Sequence, residues 1–435
     1  MADDDYDFDI FPFKVKSVLD EGDTAYSYFG FHANINKPIK ITEGGDIHVY
    51  QNYSPWPVNI TVKLDDQIQE GNIKIGDTIH YWIFLRDFTK EEQIVGNLQF
   101  TVTKFIDDET GCILSRSEVR GQKYICKNSL IFSEEFSQTN VSELTQWDKL
   151  IQLVGEPDYP FNMYLSDKTV SVENGSLVIT PILTESIIPT LYQPLDLSDR
   201  CTSQIESECK REVTMLNPVT TGKITTKRTF SFKYGRVEVR AKLPQGKWIL
   251  PEINLEPSDH TYGMNNYESG LIRIAFTFNS GLSTDRMFIR GGPVFRANQL
   301  FNNHTVLMSK LDGNWDEDFH NYTLIWTPER FIFYADGECV GEAGYIHSFA
   351  EDLMNEITHA SKWLNGTKMA PFDQMFHVTL GLRVVGDSDF YSEDTQQNLV
   401  NCLEEMNYFW NSKDKWYPTW TDSAMKIDYV RVYAL

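Results

Sequence analysis

Short runs in which apolar and polar residues alternate, each cut off by a turn signal, recur along nearly the whole of this 435-residue chain. Alternation at period two is the pattern of a strand with one buried face, since successive side chains point to opposite sides. Residues from about 10 to 107 hold AYSYFGFH (25–32), DIHVYQ (46–51), NITVKL (59–64), TIHYWIFL (78–85) and NLQFTVTKF (97–105). Turn signals separate them at Gly44-Gly45, Glu70-Gly71-Asn72 and Gly76-Asp77. About seven strands in about 100 residues predict an immunoglobulin-like β-sandwich over 1–107. The polar, acidic IDDETGC (106–112) opens a linker over 108–127. From 128 to 435 the strands lengthen: SLVITP, TFSFKYGRVEVRAKLP, LIRIAFTFN, YTLIWTP, RFIFYADG, MFHVTLGLRVV and AMKIDYVRVYAL. They predict a large two-sheet jelly roll, so the fold class is all-β throughout.

One helix is expected in SFAEDLMNEITHASKWLNG, where Phe349, Leu353, Met354, Ile357, Ala360 and Leu364 recur at helical spacing. Ser348 and Glu351 form a capping box there, and Gly366 stands at the C-terminal cap. The net charge of −23 argues against nucleic-acid binding, which needs clustered Lys and Arg, and is read as solubility. Six cysteines show no metal-ligand spacing, and neither a metal nor a cofactor is expected. Cys112 with Cys126 and Cys201 with Cys209 are close enough in sequence to be read as disulfides. Cys339 and Cys402 are a third candidate pair that spacing does not establish. Sequons at Asn59, Asn140, Asn174, Asn303, Asn321 and Asn365, together with paired cysteines, point to the secretory route and to an extracellular glycoprotein. The start, MADDDYDFDIF, has no signal-peptide pattern and is read as a mature form or as a chain whose signal peptide is missing. No apolar run is long enough to span a membrane.

The strand in YESGLIRIAFTFN (267–279) bears most directly on function. Strict alternation places Ile272, Ile274, Phe276 and Phe278 on one face, and Leu271, Arg273, Ala275 and Thr277 on the other. The first face reads as core, and the second carries a single charge.

Several segments carry a resemblance to known families. KYGRVEVRAKLPQGKWILPEINLEP (233–257), NWDEDFHNYTLIWTPERFIFYADG (314–337), APFDQMFHVTLGL (370–382) and MKIDYVRVYAL resemble the laminarinase-type glycoside hydrolases of family 16. YFGFHANIN (28–36) and IKIGDTIHYWIFLRD (73–87) resemble the N-terminal glucan-binding module of insect β-1,3-glucan recognition proteins, also called Gram-negative bacteria-binding proteins. In the hydrolases a Ser-Gly like Ser269-Gly270 is followed by Glu-x-Asp-x-Glu, or by Glu-x-Asp-x-x-Glu with a bulge. A retaining glycosidase needs two such carboxylates, about 5 Å apart on one face of the cleft. Here the corresponding positions hold Leu271, Arg273 and either Ala275 or Phe276, so the resemblance implies a hydrolase-like domain without its catalytic residues. Glu268, at an odd offset from Leu271, is expected to point away from that face.

The resemblance further implies a vestigial cleft with Trp248, Arg273, Trp315, His320 and Trp420, whereas Trp326, beside the strand YTLIW, reads as a core residue. It implies glucan contacts from Asp20, Asp23, Trp56, Lys74 and Arg86 in the first block. The expected function is then a secreted innate-immune recognition protein that binds β-1,3-glucan or another microbial polysaccharide and signals to a serine protease of the Toll or prophenoloxidase cascade. An active β-1,3-glucanase and a secreted protein-interaction protein without glycan binding are the alternatives.

Overall fold

The computed structural model describes residues 14–18, 26–52, 59–63, 73–87, 89–104, 111–122, 124–212, 215–282, 284–297, 304–386, 390 and 401–435. The chain forms two compact units, Met1–Arg116 with Tyr124–Lys127, and Ser117–Lys123 with Asn128–Leu435. The stretch read as a linker is therefore divided between them. Within it, Glu118–Val119 pairs with Phe232–Lys233 as part of the larger unit.

In the small unit, strands β1 (Lys14–Val18), β2 (Tyr26–Ile35), β3 (Ile47–Asn52), β4 (Asn59–Lys63), β5 (Thr78–Asp87) and β6 (Glu92–Thr101) are described. They form a four-stranded sheet of order β3-β2-β5-β6 and a two-stranded sheet of β1 and β4. β6 begins at Glu92, five residues before the expected NLQFTVTKF run, because it extends the ladder opposite Arg86 and Phe84. Alternation places the main apolar core on one face of the four-stranded sheet, although His32, Asn34 and Trp82 on the other face are buried too. Phe29, Phe31, Ala33, Tyr81, Ile83 and Leu85 form its buried core with Ile47, Ile73 and Val102.

The large unit is built on two antiparallel sheets. A nine-stranded sheet runs Val306–Ser309, Phe288–Val294, Leu271–Phe276, Ile249–Pro257, Phe376–Val384, Lys223–Thr225, Asp148–Lys149, with Phe232–Lys233 and Glu118–Val119 attached beside it. An eight-stranded sheet runs Val170–Glu173, Ser176–Ile179, Met425–Tyr433, Gly235–Lys242, His320–Trp326, Phe331–Ala335, Glu338–Ala343, with Leu130–Glu134 added on Met425–Tyr433. The Gly235–Lys242 and His320–Trp326 strands alternate between buried and more exposed residues. Phe376–Val384 is buried throughout, as expected of a strand covered on both faces. Side chains of the two sheets meet in the core, where the fully buried Trp326 packs edge-on to Phe376 at 5.3 Å. Trp326 also donates its Nε1–H to the Phe372 carbonyl at 3.2 Å, in line with its expected core role. A smaller sheet of Ile151–Gln152, Asn162–Leu165, Val219–Thr221 and Ile182–Leu183 completes the main layers.

The single helix expected over 348–366 is two shorter pieces, an α-helix Phe349–Leu353 and a 3₁₀-helix Thr358–Asn365. The Ser348 hydroxyl accepts from the Glu351 N–H, as the capping box predicts. The change to three residues per turn rotates the buried face, so Ile357, Ala360 and Trp363 point inward while Met354 and Leu364 are exposed. Gly366 adopts φ −94°, not the left-handed conformation of a helix-terminating glycine. Both expected disulfides are formed, Cys112–Cys126 and Cys201–Cys209, with Cα–Cα distances of 5.7 and 5.5 Å. Cys339 and Cys402 are not bridged.

Candidate functional site

A cleft of about 360 Å³ lies on the nine-stranded sheet of the large unit. Its floor is set by the Leu271–Phe276 strand. Between that strand and Ile249–Pro257 the register passes from Asn254↔Arg273 to Ile253↔Ala275, and on the other side from Arg273↔Gly292 to Phe276↔Arg290. One extra residue is thus inserted after Arg273, a β-bulge that resets the alternation. Gly291 accommodates it, since a Cβ there would come within 2.7 Å of the Ile274 carbonyl oxygen. The outcome is that Leu271, Arg273 and Phe276 all line the cleft. Strict alternation assigns Phe276 to the core face, and the bulge overturns that assignment. It also selects Phe276 over Ala275 as the third cleft position. The Arg273 guanidinium carbon stands 5.4 Å from the Phe276 ring centre.

Two of the cleft's carboxylates come from the next strand, while Glu156, Asp158 and Glu208 line it from other segments. In PEINLEP, Glu252, Asn254 and Glu256 share the cleft side by simple alternation. Lys223 is largely buried and donates to both acids, 3.1 Å to Glu252 Oε1 and 2.7 Å to Glu256 Oε1. The Tyr164 hydroxyl, carried in by the small sheet, donates to Glu252 Oε2 at 2.6 Å. Thr379 Oγ1 donates to Glu256 Oε1 at 3.1 Å. Burial alone would raise the Glu256 pKa, but the Lys223 and His377 charges outweigh it and hold the group at about 2. Burial and the Glu252 charge push the Tyr164 hydroxyl well above its ordinary value, so it is a donor at neutral pH. At the rim Tyr267 donates to Asp158 Oδ2 at 2.7 Å. Sequence reasoning passed over Glu252, Glu256 and Lys223, although the E-x-N-x-E spacing was a visible signal for the acids. Lys223 becomes their partner only through strand order.

Of the side chains expected in a vestigial cleft, only Arg273 lines it. Trp248 is buried among Phe390 and Phe409, at 4.9 and 5.7 Å. Trp420 packs on Trp416 at 4.8 Å and donates to the Lys247 carbonyl. His320 belongs to the eight-stranded sheet, where Nδ1 meets Asp336 Oδ2 at 2.6 Å and Trp315 packs edge-on at 4.8 Å. None of these four side chains is part of the cleft lining. Glu268 lies off the cleft lining and accepts from Lys362 at 2.6 Å.

In the small unit Asp20, Asp23 and Trp56 lie outside the described residues. Lys74 is in the turn before β5, its N–H bonded to Asp77 Oδ2. Arg86 is near the far end of β5, at least eight residues on, or about 26 Å along the strand, so the two do not converge on one spot. Arg86 pairs with Glu92 at 2.7 Å. Among the sequons, Asn140, Asn174, Asn321 and Asn365 are exposed, whereas Asn303 and the Asn59 side chain lie outside the described residues.

The two stacked antiparallel sheets, with a cleft on one of them, define a large β-sandwich of the jelly-roll class. The family model described as "Glycosyl hydrolases family 16" matches residues 296–371. The laminarinase catalytic domain from Thermotoga maritima aligns over 71% of this chain and 99% of its own, with a TM-score of 0.46 and 21% identity. Beta-1,3-glucan-binding protein 2 of Manduca sexta is 36% identical over 96% of this chain and 92% of its own length. Beta-1,3-glucan-binding protein 1 of Galleria mellonella is 33% identical over 98% of this chain and 96% of its own length. Gram-negative bacteria-binding protein 1 of Drosophila melanogaster is 36% identical over 74% of this chain and 68% of its own. The chain belongs to this family of β-1,3-glucan-binding and Gram-negative bacteria-binding proteins.

Proposed function

We propose that this protein is a secreted recognition protein of innate immunity that binds β-1,3-glucan or a related microbial surface glycan without hydrolysing it, and that the bound state signals to a serine protease cascade. The observation that carries the non-enzymatic part is the row Leu271, Arg273, Phe276 along the cleft floor. Neither apolar group can attack an anomeric carbon or donate a proton, and a guanidinium stays protonated. Glu252 and Glu256 do not make up for them. Both are clamped by the same ammonium, and Glu256 is held ionised far below neutrality, whereas a general acid needs a raised pKa. The names of the relatives support glucan recognition, and the small unit is the proposed place for it, with Asp20, Asp23, Trp56, Lys74 and Arg86 as proposed contacts. Paired cysteines and exposed sequons support export and glycosylation. The test is reducing-sugar release from laminarin by the purified full chain, with Glu256→Gln as the partner sample. Background-level release from both supports the reading. Release that Glu256→Gln abolishes would make the protein a glucanase.

A further inference from the structure

Two loops of the large unit face each other across the cleft, and both are held by the strand Phe376–Val384. The loop 258–270 starts at the first end of that strand, where Pro257 pairs with Phe376 and the Ser258 N–H donates to the Met375 carbonyl at 2.8 Å. The loop 154–160 is held at the other end, where Pro160 bridges to Gly386 and the Phe161 N–H donates to the Val385 carbonyl at 3.0 Å. The nine residues of the strand set these ends about 26 Å apart. Side chains of the two loops nevertheless meet. The Tyr267 hydroxyl donates to Asp158 Oδ2 at 2.7 Å, and both residues line the cleft.

The contact lies over the middle of the floor. Arg273 pairs with Asn254, and Asn254 with Thr379, halfway along Phe376–Val384. Burial and the Asp158 charge push the Tyr267 hydroxyl well above its ordinary pKa, while Arg273 and Arg383 are close enough to pull it the other way. The bridge is also fixed in place. Asp158 is buried, and Tyr267 is flanked by two anchors: Asn266 Oδ1 accepts from the Ala297 N–H at 2.6 Å, and Glu268 accepts from Lys362 at 2.6 Å. Tyr267 itself holds φ 56°, a left-handed conformation that an aromatic residue keeps only where its surroundings impose it.

We propose that the Tyr267–Asp158 bridge is a crossbar that decides what enters the cleft, closing it to the interior of a polysaccharide chain. A polymer laid across the strands between the two loops would have to pass beneath this contact, so the cleft is a pocket for a small molecule and not a through groove. Tyr267 and Asp158 are then specificity-determining residues of the large unit. The crossbar is independent of the lost carboxylates and of the glucan reading of the small unit.

The experiment is size-selective thiol labelling of the full-length protein. Cys339 and Cys402, which are not bridged, are replaced by serine, and Leu271→Cys puts one thiol on the cleft floor. Met264→Cys, at a position 72% exposed on the same loop as Tyr267, is the accessible control. Each protein is treated with iodoacetamide and, separately, with dextran carrying maleimide groups along its length. Thermal melts verify folding, and Asn254→Cys takes the place of Leu271→Cys if that variant melts below its background. Dextran is expected to label the control thiol readily and the floor thiol at least about tenfold more slowly. Adding Tyr267→Ala or Asp158→Ala should raise the dextran rate at the floor thiol roughly tenfold and leave iodoacetamide labelling nearly unchanged. Equal dextran labelling of floor and control thiols with the bridge intact would overturn the proposal. So would a slow dextran rate that neither Tyr267→Ala nor Asp158→Ala relieves.

Discussion

Lys223 ties together two of the cleft's acids. It pairs at once with the buried Glu252 and the half-buried Glu256, and removing it takes this counter-charge from both. Lys223→Met is expected to cost about 3–5 kcal/mol in urea unfolding, and a loss below about 1 kcal/mol would show that the cleft acids are solvated. His377 adds a pH dependence. Burial pushes its pKa down to about 4, so the folded protein keeps it neutral where the unfolded chain, titrating at 6.5, takes up a proton. The unfolded state binds more protons between these values, and stability therefore falls as pH drops from about 6.5 to 4. The Glu256 carboxyl, at about 2 when folded and 4.5 when unfolded, continues the loss below pH 4.5. The His377 part is on the order of 3 kcal/mol, and His377→Asn should flatten the fall of Tm between pH 6.5 and 4.5. An unchanged slope in that variant would assign the acid sensitivity to other groups.

At the level of elements, the Leu271–Phe276 bulge decides what faces the cleft. Leu271→Glu/Phe276→Glu would place two carboxylates on the floor, at sites now 7% and 2% exposed. The double variant is expected to lose several kcal/mol from burying charge and to release no reducing sugar from laminarin, because Arg273 and the clamped acids remain around it. Rapid turnover would show that only the carboxylates were missing. Most strands are legible in the sequence because one-sided burial enforces alternation, as in Gly235–Lys242 and His320–Trp326. The bulge is not legible, since an inserted residue leaves composition unchanged and appears only in the pairing with both neighbours. The Phe349–Asn365 region misleads for a related reason: apolar residues at i, i+3 and i+4 fit both helix types. Helix Cys402–Asn411 was legible but passed over, for Asn401 caps it by accepting from the Glu404 N–H.

For the molecule as a whole, the vestigial cleft that the resemblance implies includes three tryptophans, and rings of that size are as useful to a jelly-roll core as to a sugar site. Trp248 and Trp315 are buried in such cores, so residue type alone does not place them. The Cys112–Cys126 and Cys201–Cys209 bridges, with separations of 14 and 8, each close a short loop. Each is expected to stabilise its unit by roughly 2–3 kcal/mol, read as a lower Tm after gentle reduction, and no change in Tm would remove them from the stability account. Recognition by a shallow face makes few contacts per sugar, so affinity should grow with polymer length as several protein copies engage one chain. The central claim is that glucan is held and not cut. It is tested most directly by incubating the full-length protein with curdlan and assaying one tube for pelleted protein and for soluble reducing ends. The predicted result is protein in the pellet and no sugar above the protein-free blank. Soluble oligosaccharide that rises with protein concentration, or protein left entirely in the supernatant, would contradict it.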